Sequence, residues 1–147
     1  MLYSIVMPSD ANQVFGCILE SHEGRILLVQ GRKSGKWSFP KGHPLEDETP
    51  FECAQRELIE ETGLCAPAYP TTIHQLATGV YYHYKVGEEL IGEPEDTNEV
   101  IDLRWVSVDE MRHMSVNIDV NTYLRRTQSR RPSIPQKIQW RGIKVQS

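Results

Sequence analysis

Apolar residues along this chain fall into short runs separated by polar turns. Val14 to Leu19 and Ile26 to Val29 are two such runs, with His22-Glu23-Gly24 between them. They predict a hairpin of buried strands. Trp37-Ser38-Phe39 predicts a short extended piece before Pro40. Further strands are expected over 72–78, 80–86 and 101–106, and helices over 50–62, 108–114 and 117–127. The stretches 31–36, 42–49 and 87–98 read as loops, the first basic and the other two acidic. A chain of 147 residues with this spacing suits one domain around one core, assigned to 1–128.

The helix over 50–62 has well-marked ends. Thr49-Pro50-Phe51-Glu52 is a capping box with proline at the first helical position, and Gly63 suits a left-handed stop. At 100° per residue Phe51, Ala54 and Leu58 share one side, expected to face the core. Glu57, Glu60 and Glu61 stand at i, i+3 and i+4, so their carboxylates are expected to project together from another side. A solvated acidic face is the ordinary outcome of such a pattern. Here the acids lie toward the helix C-terminus, where the macrodipole disfavours anions, and only Arg56 lies close in sequence to offset them. Clustered hard oxygen ligands are the usual seat of Mg²⁺ or Mn²⁺. Such a cation removes the repulsion and activates water toward phosphorus.

Charge and cysteine content bound the setting. Net charge is −4, but Val120 onward carries seven basic residues and no acid, leaving −11 on the rest. The stretch 129–147 therefore reads as a basic extension. With Ile138, Trp140, Ile143 and Val145 it is expected to pack on the domain or on a partner subunit, and a homodimer is compatible with it. It also has the charge and the aromatic to hold RNA. Cys17, Cys53 and Cys65 match no zinc spacing and read as reduced thiols in a cytoplasmic protein. No apolar run spans a bilayer, and the first residues lack the pattern of a secretory signal, so no membrane partner is expected.

A wider window, Gly42 to Leu64, resembles the Nudix hydrolase box, G-x5-E-x7-R-E-U-x-E-E-x-G-U with U aliphatic, at all nine specified positions. The flanking order of strands and helices also resembles that family's α/β/α sandwich, a mixed sheet between helices. The resemblance implies a pyrophosphohydrolase that uses Mg²⁺ or Mn²⁺ to split a diphosphate joined to another moiety. It makes Glu57, Glu60 and Glu61 metal-binding glutamates. Glu48 becomes a supporting acid, Arg56 the arginine that orients a box glutamate, and Gly42 a glycine whose carbonyl ligates metal. A further carboxylate outside the box completes many family sites. Glu99, six residues before Trp105, is the candidate base, with Glu95 and Asp96 as alternatives.

The substrate is less constrained. Lys41 beside the box, with Lys36, Lys33 and Arg32, can grip phosphates, although a basic surface loop has the same composition. Trp37 to Gly42 is similar to segments in decapping, dinucleoside-polyphosphate and diphosphoinositol-phosphate hydrolases of the family. The expected substrate is a nucleotide or polyphosphate, with capped RNA and diphosphoinositol phosphates as alternatives. Strand alternation pairs Tyr82 with Tyr84 and Tyr81 with His83, and one pair is expected to stack on a base unless both serve the core. A non-catalytic nucleotide- or RNA-binding module is the reading from another class, and the intact box argues against it.

Overall fold

A computed structural model describes residues 12–129. The expected basic extension, apart from Ser129, lies outside the described residues. Strands β1 (Val14–Ser21) and β2 (Ile26–Gly31) form the predicted hairpin. Its turn closes through Gly24 at φ 84°, whose amide donates to the Ser21 carbonyl at 2.9 Å. The two strands stay paired only near that turn, where Glu20 faces Ile26. Beyond it they part. The gap takes β3 (Trp37–Ser38) against β2 and β4 (Lys41–Gly42) against β1.

The remaining strands come from far along the chain. β6 (Gly79–Val86) runs parallel to β1 over its whole length, from Val14 opposite Gly79 to Ser21 opposite Val86. β5 (Thr72–Gln75) pairs antiparallel with β6, and β7 (Val100–Val106) pairs antiparallel with β2. The result is one mixed sheet of seven strands. Among the described residues three helices accompany the sheet: α1 (Pro50–Thr62), α2 (Val108–Met111) and α3 (Ile118–Ser129).

Alternating side chains give the sheet two apolar faces. Ile18, Ile26, Leu28, Phe39 and Tyr81 meet Met111 of α2 and Val120, Tyr123 and Leu124 of α3. Cys17, Leu19, Leu27 and Tyr84 meet Ala54 and Leu58 of α1 on the other side. This is the expected α/β/α layering. Each fully buried aliphatic side chain, such as Leu58, contributes about 2 kcal/mol.

One expectation about α1 needs correction. Phe51 is not in the core: it is 41% exposed and meets Tyr82 edge-on at 5.3 Å. It belongs to the first helical turn, which lies beside the apolar cluster rather than over it. Glu61 is 7% exposed and shares the buried stripe with Ala54, Leu58 and Thr62, and its charge meets that of Glu57.

Candidate active site

The divergence of β1 and β2 lets β4 join the sheet against β1, where it lies next to α1. Residue 42 has no room for a side chain. A Cβ there would collide with the carboxyl group of Glu57, so that group rests directly on the glycine backbone. One residue earlier, the Lys41 amide donates to Glu61 Oε1 at 3.2 Å. The Cys53 thiol points at the Gly42 carbonyl at 3.5 Å. The helix register is held by its cap: Thr49 accepts from the Glu52 amide and Glu52 accepts from the Thr49 amide.

Arg56 links the acids. Its Nε and Nη2 grip Glu48 in a fork at 2.7 and 2.9 Å. Its Nη1 reaches Glu57 at 3.1 Å and Glu60 at 3.2 Å, and Nη2 also donates to the His43 carbonyl at 3.0 Å. Glu48 accepts a further bond from the Leu45 amide at 2.8 Å. These bonds to the ionised form, those from Arg56 above all, hold the Glu48 carboxyl below its usual range.

One guanidinium does not satisfy four carboxylates. Burial, followed by the charge of Glu60, pushes Glu57 up to about 7, although Arg56 opposes the shift. Burial and then the charge of Glu57 push Glu61 up to about 8, against the pull of Lys41. Glu99 raises both, so its carboxylate stands within electrostatic reach of the pair. The donor set is carboxylate oxygen plus a main-chain carbonyl, which suits a hard divalent cation. The raised values mark where added positive charge would be most stabilising. The acids are not a preassembled cage. Among the described residues no group of three His, Cys, Asp or Glu side chains stands ready to ligate, and Arg56 holds Glu57 and Glu60.

The acidic loop before β7 closes over the end of α1. The amides of Glu95 and Asp96 donate to the Glu60 carbonyl at 2.7 and 3.2 Å, which satisfies an orphan acceptor of the last turn. Gly63, at φ 74°, lies against the Glu93 main chain, and Gly92 lies against the Thr62 carbonyl. The Glu95 and Asp96 main chains thus fasten the loop, whereas the side-chain charge of Glu99 acts on the cluster. Arg32 is exposed and donates through Nη2 to the Thr97 carbonyl at 2.9 Å. Lys33 and Lys36 are exposed on the β2–β3 turn, and His22 and His43 are exposed too.

The aromatic expectations separate. Tyr82 is half-buried beside Phe51. Tyr84 is fully buried, and its hydroxyl accepts from Gln55 Nε2 at 2.6 Å. Its ring belongs to the α1-facing core and offers no face to a base, which corrects the substrate role expected for it. Tyr81 and His83 are buried as well. Sequence reasoning missed three main-chain partners, namely the amides of Lys41 and Leu45 and the carbonyl of His43. Every residue carries such groups, so no side-chain pattern signals them.

A family profile described as NUDIX domain matches residues 11–126. The chain belongs to the Nudix family. It is 32% identical over 105 residues to mRNA-decapping enzyme subunit 2 of Arabidopsis thaliana, covering 67% of this chain and 28% of that protein. It is 34% identical over 108 residues to phosphatase NudJ of Escherichia coli K12, covering 67% of this chain and 70% of that protein. The chain thus spans little more than a quarter of the decapping relative and most of the bacterial one. The fold matches the crystal structure of a C. elegans Ap4A hydrolase binary complex with TM-score 0.64 at 18% identity, covering 80% of this chain and 96% of that one. Among the described residues no helix is long and apolar enough to cross a membrane.

Proposed function

We propose that this Nudix family member is a divalent-metal-dependent pyrophosphohydrolase that cleaves the diphosphate of a nucleoside diphosphate linked to another moiety. The observation that carries the reading is the electrostatic state of Glu57 and Glu61, pushed up to about 7 and 8 beside Glu60 and Glu99. Three acids share one arginine, Glu61 and Glu99 add their charge beside them, and the site gains most by taking up further positive charge. Glu57, Glu60, Glu61 and the Gly42 carbonyl would hold Mg²⁺ or Mn²⁺, with Glu48 in support. When bound, such a cation offsets charge on the phosphoryl oxygens and lowers the pKa of water.

The chain's own groups take the other roles. Arg56 orients Glu48, Glu57 and Glu60 through its fork. Glu99 accepts the proton of the attacking water. Lys41, adjacent to the cluster, holds a non-reacting phosphate oxygen, and the exposed Lys36 meets phosphates further out. Half-buried Tyr82 is the remaining aromatic for a base.

Similarity to a decapping subunit and to the NudJ phosphatase supports a test panel of capped RNA, dinucleoside polyphosphates, nucleoside-diphosphate sugars, NADH and diphosphoinositol phosphates. Product analysis in ¹⁸O water with Mg²⁺ identifies both the substrate and the phosphorus attacked. Glu60→Gln is expected to lower turnover of the best substrate about a hundredfold, the scale of losing one electrostatic stabiliser. Full turnover in that variant, or turnover unaffected by a chelator, refutes the metal assignment.

A further inference from the structure

From the contacts of the β2–β3 turn we infer that Arg32 is a positioning residue, which holds the loop carrying Glu99 against the acid cluster. The inference rests on the role proposed above for Glu99. It replaces the phosphate-gripping role expected for Arg32 from its place in a basic loop.

The turn itself is well built. Gly35, at φ 72°, donates its amide to the Gly31 carbonyl at 2.9 Å, and the Gly31 amide donates to the Lys36 carbonyl at 3.0 Å. Gln30 Nε2 donates to the Gly35 carbonyl at 3.0 Å. A register shift at Gln30/Gly31 against β7 leaves Ile101 without a Cα partner, so β2 departs from the ladder where Arg32 begins.

Arg32 then takes the facing loop at two points. Its amide donates to the Glu99 carbonyl at 2.8 Å, and its guanidinium donates to the Thr97 carbonyl at 2.9 Å. Among the described residues Arg32 makes no ion pair with an acid.

The same loop is held at its other end by the Glu60 carbonyl, through the amides of Glu95 and Asp96. Between the two anchors the chain turns on Asp96, whose side chain accepts from the Asn98 amide at 3.1 Å and whose carbonyl accepts from the Glu99 and Val100 amides. Glu99 is therefore the last residue of a loop pinned to α1 on one side and to Arg32 on the other. Its charge reaches Glu57 and Glu61. A hydrogen bond to a main-chain carbonyl passes through no charged partner. What it contributes to turnover must come from where it holds the loop.

A double-mutant cycle separates the two roles, measured on the fastest substrate of the panel with saturating Mg²⁺. Arg32→Ala is expected to lower kcat about tenfold with KM within about twofold, inside the ~100-fold range that a small misplacement costs. In a Glu99→Gln background the same change is expected to cost less than about twofold, because residues that act as a unit are non-additive. Arg32→Lys keeps the charge but replaces the planar guanidinium that donates to Thr97, and is expected to fall between wild type and Arg32→Ala in kcat. Thermal melts check folding, and Arg32→Lys carries the cycle where the alanine variant melts early. A rise in KM at unchanged kcat would show a phosphate grip and overturn the inference. So would an equal loss with Glu99 present or absent, or no loss at all. Wild-type turnover in Glu99→Gln alone removes the base assignment and this inference together. A loss there with additive Arg32 effects sinks only the role of Arg32.

Discussion

Glu61 and Asp119 are both buried carboxylates, on helices that cover opposite faces of one sheet, and their surroundings are opposite in kind. Asp119 is fully buried and receives three donors: the Thr78 amide at 2.7 Å, the Thr78 hydroxyl at 2.5 Å and the Tyr81 hydroxyl at 2.6 Å. It fastens the start of α3 to the turn before β6. Glu61 receives one amide at 3.2 Å and faces Glu57 and Glu99. A buried carboxylate surrounded by donors is part of the scaffold. One surrounded by its own sign stores unfavourable energy that a cationic partner can release.

Removing each acid tests that contrast, and the largest effect is expected at Glu61. Glu61→Gln is expected to lower kcat/KM by about 10²–10³-fold while leaving the metal-free fold at least as stable. The sign follows from the shift. With its folded value raised to about 8, Glu61 contributes stability below its unfolded value of 4.5, and that stability is lost as pH rises through about 8. Glu57, at about 7, acts in the same direction. Metal-free wild type should therefore melt lower at pH 8.5 than at pH 5, and the variant should show a smaller drop. Equal pH dependence in the two proteins would break the comparison.

Asp119→Ala should behave in the reverse sense. It strands three donors, two of them side-chain hydroxyls, and is expected to cost about 3 kcal/mol in urea denaturation. Turnover per folded molecule should stay near wild type. A large loss of kcat without loss of stability would place Asp119 with the chemistry instead.

Gly42→Ala sharpens the picture at smaller scale. The added methyl must displace the Glu57 carboxyl from its seat on the backbone. A cost of about 1–3 kcal/mol is expected from overpacking, with a fall in Mg²⁺ affinity by calorimetry. Unchanged affinity would mean that the glycine serves the fold alone.

Local signals were the most legible part of this sequence. The capping box, the proline and Gly63 placed α1 at Pro50–Thr62, as observed. The box motif marked Gly42, Glu48, Arg56, Glu57, Glu60 and Glu61, and the fold brings them together because they share one helix and the loop before it. Periodicity could not say how far the sheet reaches beneath a helix, so Phe51 was assigned to a core it does not enter. Nor could it show that Tyr84, on the α1 side of β6, is covered by the helix and hydrogen-bonded by Gln55. The parallel pairing of β1 with β6 joins residues more than sixty positions apart and leaves no local mark. The nearness of Glu99 to the box depends on that assembly and on the docking of the loop before β7.

That loop meets the end of α1 so closely that one methyl group on either glycine would strike opposing main chain. The contact works as a mechanical stop with no slack in it. Glu89 is tied as well, to Ser21 and Arg25, and the Leu90 carbonyl accepts from Trp105 Nε1, so changes of length between β6 and β7 fit best at the exposed positions 87 and 88. Anyone grafting a new specificity onto this scaffold should splice there and carry residues 89–99 across intact.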